Sequence, residues 1–397
     1  MMFRLAKRML TETDLRLLWK FAFTFGYKGM RAVQAFKRRV ARGDLFPAFL
    51  FISITDRCNL SCQGCWVTPA KPSRELSVET LDNLIGECRT HGSSFFGLLG
   101  GEPLLHKGLF DVLGKHSDCY FQVFSNGTLV TDEVAKEMRR VGNVTPLISI
   151  EGLEKVSDVR RGGSNVYGRA TEALEHCRAN RLVFGVATSI CASNIEDLVS
   201  ETFVDDMIAR GAHYLWYYIY RPVGPHPTPE LALSAEQVRR LRRFIVDVRL
   251  KKPIAIVDAY WDHEGKALCP AATGISHHIG PGGDIEPCPP IQFACENVGD
   301  GKNLAETLRS SQFLQDFRET VSRETRGCVL LERPDVLADV VARAQARDSS
   351  GRETVHAELA ALQPRPGHDM GEDAIPERNW FYRFAKKHWF FGFGAYG

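Results

Sequence analysis

Residues 49–65 read FLFISITDRCNLSCQGC. The apolar run Phe49–Ile54 has the length and composition of a buried strand. Cys58, Cys62 and Cys65 follow at once, so three thiols converge on one loop at the carboxyl end of that strand. A three-cysteine zinc site would need a fourth ligand, and no further cysteine or histidine lies within ten residues on either side. Three thiolates do suit a four-iron cluster, whose remaining iron is then open to a chelating cofactor.

Downstream, further strand-like runs occur at Phe95–Leu99, Tyr120–Ser125, Leu147–Ile150, Leu182–Ile190 and Tyr214–Tyr220. Segments of helical periodicity separate them, as in Val78, Leu81, Leu84, Ile85 and Cys88 after a potential N-cap at Ser77. Strand and helix in steady alternation imply right-handed parallel crossovers. The fold expected is α/β, a partial (β/α)6 TIM-like barrel with a small cysteine-containing C-terminal domain.

Four segments follow from the pattern. Residues 1–46 form a helical, basic amphipathic front end, with eleven Lys or Arg against Glu12, Asp14 and Asp44 up to residue 44. Such a helix packs on the barrel with a solvated basic face, or lies on an anionic membrane surface. Residues 47–252 hold the barrel. Residues 253–335, rich in Gly, Pro, His and Cys, read as a small domain organised around something other than an apolar core. Residues 336–397 end in a tail with nine aromatics between Trp380 and Gly397, expected to fold back over the barrel mouth.

A net charge of +2 gives no global field for nucleic acid. No signal peptide or spanning apolar stretch is visible, so the eleven cysteines are read as cytoplasmic thiols, where clusters more often hold metal than form disulfides.

Motifs at successive strand ends extend the reading. The second strand ends in Gly100-Gly101-Glu102-Pro103, the third in Ser125-Asn126-Gly127-Thr128 and the fourth in Ser149-Ile150-Glu151-Gly152. Arg160 and Arg161 come next, and Thr188 and Cys191 close the fifth strand. Taken with the cysteine spacing, these resemble the radical S-adenosylmethionine (SAM) superfamily. That resemblance implies a 4Fe-4S cluster on Cys58, Cys62 and Cys65, which splits SAM to a 5′-deoxyadenosyl radical that abstracts hydrogen from a substrate. It also implies a cofactor pocket. Gly100, Gly101, Glu102 and Pro103 would hold the methionine amino group, and Ser125 and Asn126 would line the pocket. Ser149 and Glu151 would reach ribose or methionine, Arg160 or Arg161 the carboxylate, and Thr188 the cofactor. The family carries an aromatic residue just before the third cysteine, whereas this chain has Gly64 there and Trp66 directly after.

Cys269, Gly283, Cys288, Cys295 and Cys328 match the start of the family's SPASM-type auxiliary-cluster domain in its shorter, twitch-like form. A second 4Fe-4S cluster is read on Cys269, Cys288 and Cys328, with Cys295 a further candidate; zinc or free thiols are the alternatives, and His277 and His278 either substitute as ligands or stand exposed on a loop. Candidates for acting directly on substrate are Tyr218, Tyr220 and Cys191, the last more plausibly a buried structural thiol. An electron donor such as flavodoxin or ferredoxin is implied. Only about 45 residues, helical in pattern, precede the first strand. The expected substrate is therefore amphiphilic, a small molecule or lipid, with a peripheral membrane contact. Peptide (RiPP-type) maturation and a non-catalytic iron–sulfur electron carrier are the competing readings.

Overall fold

The computed structural model describes residues 1–388. Its centre is one sheet in the order β7-β6-β5-β4-β3-β2-β1-β8-β9, comprising β1 Phe49–Ser53, β2 Phe95–Leu99, β3 Tyr120–Ser125, β4 Val144–Ser149, β5 Gly185–Ile190, β6 Tyr214–Ile219, β7 Ala255–Val257, β8 Ser276–Ile279 and β9 Ile285–Glu286. The pairings from β7 through to β8 are all parallel, and only β9 runs antiparallel. The expected six strands are thus extended at both edges by residues from beyond 252. The short, Gly- and Pro-interrupted runs there hide strands that pair with β6 and β1. Helices such as Val78–Thr90, whose Ser77 hydroxyl accepts from Thr80 N–H at 3.0 Å, cover the outer face.

β4 begins three residues earlier than its apolar run suggests. Pro146 lies inside it, but the pairing of β4 with β5 starts only at Leu147, so the missing N–H faces no partner strand. His277 and His278, expected on an exposed loop, are buried in β8. There His278 bonds Glu286 Oε2 at 2.5 Å and Ser53 Oγ at 2.8 Å, tying β8 and β9 to β1.

The front end packs beneath the amino ends of the strands. Helices Met2–Glu12, Leu15–Lys20 and Gly29–Val40 are joined there by a π-helical stretch, Phe21–Lys28. Phe21 packs edge-on against Tyr120 and Phe25 against Phe95, the first residues of β3 and β2. Arg8 donates to the carbonyls of Ala212 and Pro253, and Lys28 to that of Asp118, all in loops that lead into strands.

The described part of the C-terminal tail does not cover the barrel mouth. Helix Trp380–His388 instead seals the open edge of β7, where Tyr382 Oη accepts from Ile256 N–H at 2.9 Å. Buried charges fix it there. Lys386 and Arg249 pair with Asp258 at 2.7 and 2.8 Å, and Arg249 pairs with Glu377 at 2.6 Å. Arg242 joins them 3.3 Å from Asp258, and all five side chains are fully buried. Residues 389–397, with the tail's other five aromatics, lie outside the described residues.

Burial pushes the pKa values of His213, His277 and His368 down, to about 3, about 4 and about 4. Their folded values lie below the unfolded value near 6.5, so the unfolded chain takes up protons first as the solution is acidified. The stability from keeping them neutral is complete above pH 6.5 and is lost as pH falls toward 4. Stability, and with it the melting temperature, is expected to drop between pH 6.5 and 5, before most carboxylates titrate, by up to about 1.4 kcal/mol per pH unit for each ring. In His213→Phe, melts across that range should show a shallower slope.

Candidate active site

The residues of the opening stretch build one end of a cavity of about 360 Å³ at the carboxyl ends of the strands. Cys62 and Cys65 line it. Cys58 sits close enough to both for the three thiols to feel one another's charge. Burial pushes the Cys58 thiol up and, with the neighbouring Cys62, pushes Cys65 to about 11, although Cys65 keeps surface open toward the cavity. A bound metal cation would favour the thiolate forms of Cys58 and Cys65.

Both arginines serve this loop, by different atoms. Arg160 accepts from Gln63 N–H at its carbonyl, donates to the Gln63 carbonyl at 3.0 Å and lies 5.2 Å over the Tyr220 ring. Arg161 reaches Cys62 Sγ at 3.7 Å and Glu151 at 2.5 Å, and Glu151 also accepts from Ser189 N–H. Burial opposes the Arg161 charge, but Glu151, Cys62 and Cys65 together raise its pKa. Ser149, Glu151, Arg160, Arg161 and Thr188 all line the cavity.

The other proposed cofactor residues stand behind the loop. Gly101 N–H donates to the Thr55 carbonyl and Glu102 N–H to that of Arg57. A Cβ on Gly101 would stand 2.1 Å from the Arg57 oxygen, so the glycine makes room for the approach to the cysteines. Glu102 is fully buried and accepts from Leu104 N–H, Ser125 Oγ and Asn126 N–H at 3.1, 3.0 and 2.8 Å. Burial outweighs these donors and pushes its carboxyl to about 7. Pro103 starts the short turn that Glu102 caps. Asn126 donates to Asn59 Oδ1 inside the cysteine loop. None of Gly100, Gly101, Glu102, Pro103, Ser125 and Asn126 is part of the cavity lining.

The departure at Gly64 has a counterpart in space. Gly64 takes φ +68°, and a Cβ there would lie 2.3 Å from Tyr220 Oη. The phenol from the end of β6 therefore lies against the residue where the family has its aromatic side chain. Trp216 and Tyr218 stack at 5.0 Å on the cavity wall beside Phe124 and Phe51. Cys191 is buried beside Tyr220 and Leu231, outside the cavity lining, with its thiol 3.2 Å from Ser193 Oγ.

Cys269, Cys288 and Cys328 line the same cavity. Burial raises the pKa of Cys288 well above that of a free thiol and takes Cys269 to about 11, and each of the two feels the charge of Cys328. Cys295 stands apart. It follows the two-residue strand Phe293–Ala294, and its thiol bonds the Ala344 carbonyl. Arg221, directly after the Tyr220 of the last strand-like run, was missed from the sequence. Its Nε donates to Cys328 Sγ at 3.0 Å, and its guanidinium lies over the Tyr260 ring. His368, also missed, reaches the cavity from the C-terminal segment, where no periodic pattern announces it. Among the described residues, no group of three His, Cys, Asp or Glu side chains is arranged to hold a single metal ion.

A parallel α/β barrel with a three-cysteine loop at its strand ends is the architecture of a cluster-binding enzyme class. Residues 52–199 match the model of the radical SAM superfamily. It is similar to Fe-coproporphyrin III synthase of Methanosarcina barkeri (strain Fusaro / DSM 804), 28% identical over 49% of this chain and 50% of the relative. Sporulation killing factor maturation protein SkfB of Bacillus subtilis (strain 168) is 30% identical over 38% of each chain. The chain thus spans half or less of the length of these curated relatives. Streptococcus suis SuiB has the same fold. Its SAM-bound structure gives a TM-score of 0.61 at 16% identity over 72% of each chain. Its complex with the precursor peptide SuiA gives 0.59 at 15% identity, over 71% of this chain and 69% of SuiB.

Proposed function

We propose that this chain is a radical SAM enzyme that reductively cleaves SAM at a 4Fe-4S cluster on Cys58, Cys62 and Cys65 and takes hydrogen from an amphiphilic substrate in the cavity. The observation that carries the reading is one cavity with Cys62, Cys65 and Arg161 on one wall and Cys269, Cys288 and Cys328 on another. When bound, the first cluster would supply the electron that breaks the carbon–sulfur bond of SAM. The chain's own residues prepare the place. Arg161, held by Glu151, keeps a positive charge beside the thiols. Glu102 and Asn126 fix the loop from behind. The wall of Phe51, Phe124, Trp216 and Tyr218 excludes water from the reacting space.

Ser149, Glu151, Arg161 and Thr188 offer polar contacts to SAM at the rim, and Tyr218 stands next to the substrate. Cys269, Cys288 and Cys328 would hold a second 4Fe-4S cluster, leaving Cys295 out. A flavodoxin- or ferredoxin-type donor would deliver the electron. The apolar, aromatic wall supports an amphiphilic substrate, lipid-like or otherwise, and the basic front-end helices support a peripheral membrane contact. A peptide substrate is the second reading, favoured by the likeness to SuiB, which was solved with a precursor peptide.

The anaerobically reconstituted protein, given dithionite and SAM, is expected to release 5′-deoxyadenosine. A filled cluster with no 5′-deoxyadenosine overturns the proposal. Comparing lipid extracts from cells with and without the gene tests the substrate; unchanged lipids beside a modified peptide would give it to the second reading.

A further inference from the structure

Among the described residues, all six exposed large aromatics lie in two neighbouring places. Phe3, Trp19, Phe23 and Tyr27 belong to the front-end helices, and Trp380 and Phe384 to the helix packed against Gly29–Val40. Trp19 is 70% exposed and Trp380 73%. Trp19, Phe23 and Tyr27 form a ladder, with ring centres 6.0 and 5.7 Å apart, and exposed Leu15 continues it.

Cations border this ladder. Lys28 Nζ lies 5.9 Å from the Phe23 ring, and the Arg31 guanidinium lies 5.9 Å from that of Tyr27. The three acidic residues of the first 44 are already engaged, Glu12 by Arg8, Asp14 by Arg139 and Asp44 by Arg309. The segment carries eleven cations against these three acids, and Lys28 and Arg31 stand at the strip itself. Rings at the surface flanked by Lys and Arg match the boundary of an anionic bilayer, where aromatic side chains settle at headgroup depth.

We propose that the strip Leu15, Trp19, Phe23 and Tyr27 seats the protein on an anionic lipid bilayer. This rests on the peripheral-contact part of the reading above and not on its chemistry. Failure of vesicle binding overturns the contact and leaves 5′-deoxyadenosine formation untouched. The strip lies beneath the amino ends of the strands, whereas the cavity is at their carboxyl ends. The contact therefore anchors the protein with its cavity directed away from the bilayer.

Co-sedimentation of the full chain with vesicles tests this. Vesicles about one-third phosphatidylglycerol in phosphatidylcholine should bind it at least about tenfold better than pure phosphatidylcholine, and salt should weaken the binding. The double variant Trp19→Ser, Phe23→Ser should lose about tenfold in partitioning while its melting temperature stays put, because both side chains face solvent. Equal binding to both vesicles, no binding, or binding unchanged in the double variant overturns the proposal. So does a dimer in solution that the double variant abolishes, which would make a second copy the occupant. Binding that appears only after removal of residues 389–397 would assign the strip to the chain's own tail and also overturn it.

Discussion

Cys62→Ala is expected to release no 5′-deoxyadenosine above background and to lose the iron of the first cluster after reconstitution. Cys62 is the thiol that Arg161 contacts, and it lines the cavity, so its removal takes away a proposed ligand and one contact of the guanidinium. Parallel variants separate this from general damage. Cys328→Ala should lose about half of the bound iron while residual SAM cleavage persists, because its thiol belongs to the other trio, beside Arg221. Cys295→Ala should keep the full iron content, since its thiol faces the Ala344 carbonyl outside the cavity lining. Iron and sulfide per chain, read beside 5′-deoxyadenosine, distinguish the three. Cleavage at the unaltered rate by Cys62→Ala would remove this cysteine from the site.

Asp258→Ala is expected to produce the largest loss of stability. The substitution leaves Arg249, Arg242 and Lys386 facing one another with only Glu377 as counterion, all without exposure to solvent. Burial already pushes Lys386 down to about 8, against the pull of Asp258. Breaking a buried pair from one side costs about 3–5 kcal/mol, because the remaining charge loses its counterion with no water to replace it. Urea unfolding of Asp258→Ala should show that loss, with the seal of the last helix on β7 the first to open. A midpoint within the error of the parent would mean that the cluster contributes little. Removing Asp373 from its exposed pair with Arg239 should change the midpoint little.

The parallel sheet was legible because its strands are continuous apolar runs buried on both faces, and because polar groups cluster where each one ends. The cysteine loop was legible for the same reason, as a spacing at the end of one strand. Residues brought in from afar were not. β7 has three residues and β8 four, too short for periodicity to register, and β8 earns its place by the His278 bonds to Ser53 and Glu286. Arg221 opens a stretch with four prolines and a glycine up to Pro229, yet its side chain turns back onto Cys328. Glu102 and Asn126 were read as groups of the cofactor pocket, and spacing did not announce that they also bond neighbouring strand ends and Asn59. Spacing alone carries no information on which way a strand-end side chain turns.

The front-end helices also bear on the order in which the chain is made. Arg8 finds its carbonyl partners 204 and 245 positions later, at Ala212 and Pro253. Trp19, Phe23 and their cations therefore leave the ribosome well before the barrel that their helix will underlie. During that interval the aromatic ladder and the residues later buried beneath β2 and β3 are exposed together. Whatever receives the emerging segment, whether a chaperone or a lipid surface, meets a more apolar helix than the finished protein shows, until β2 and β3 supply Phe95 and Tyr120 to cover its inner face.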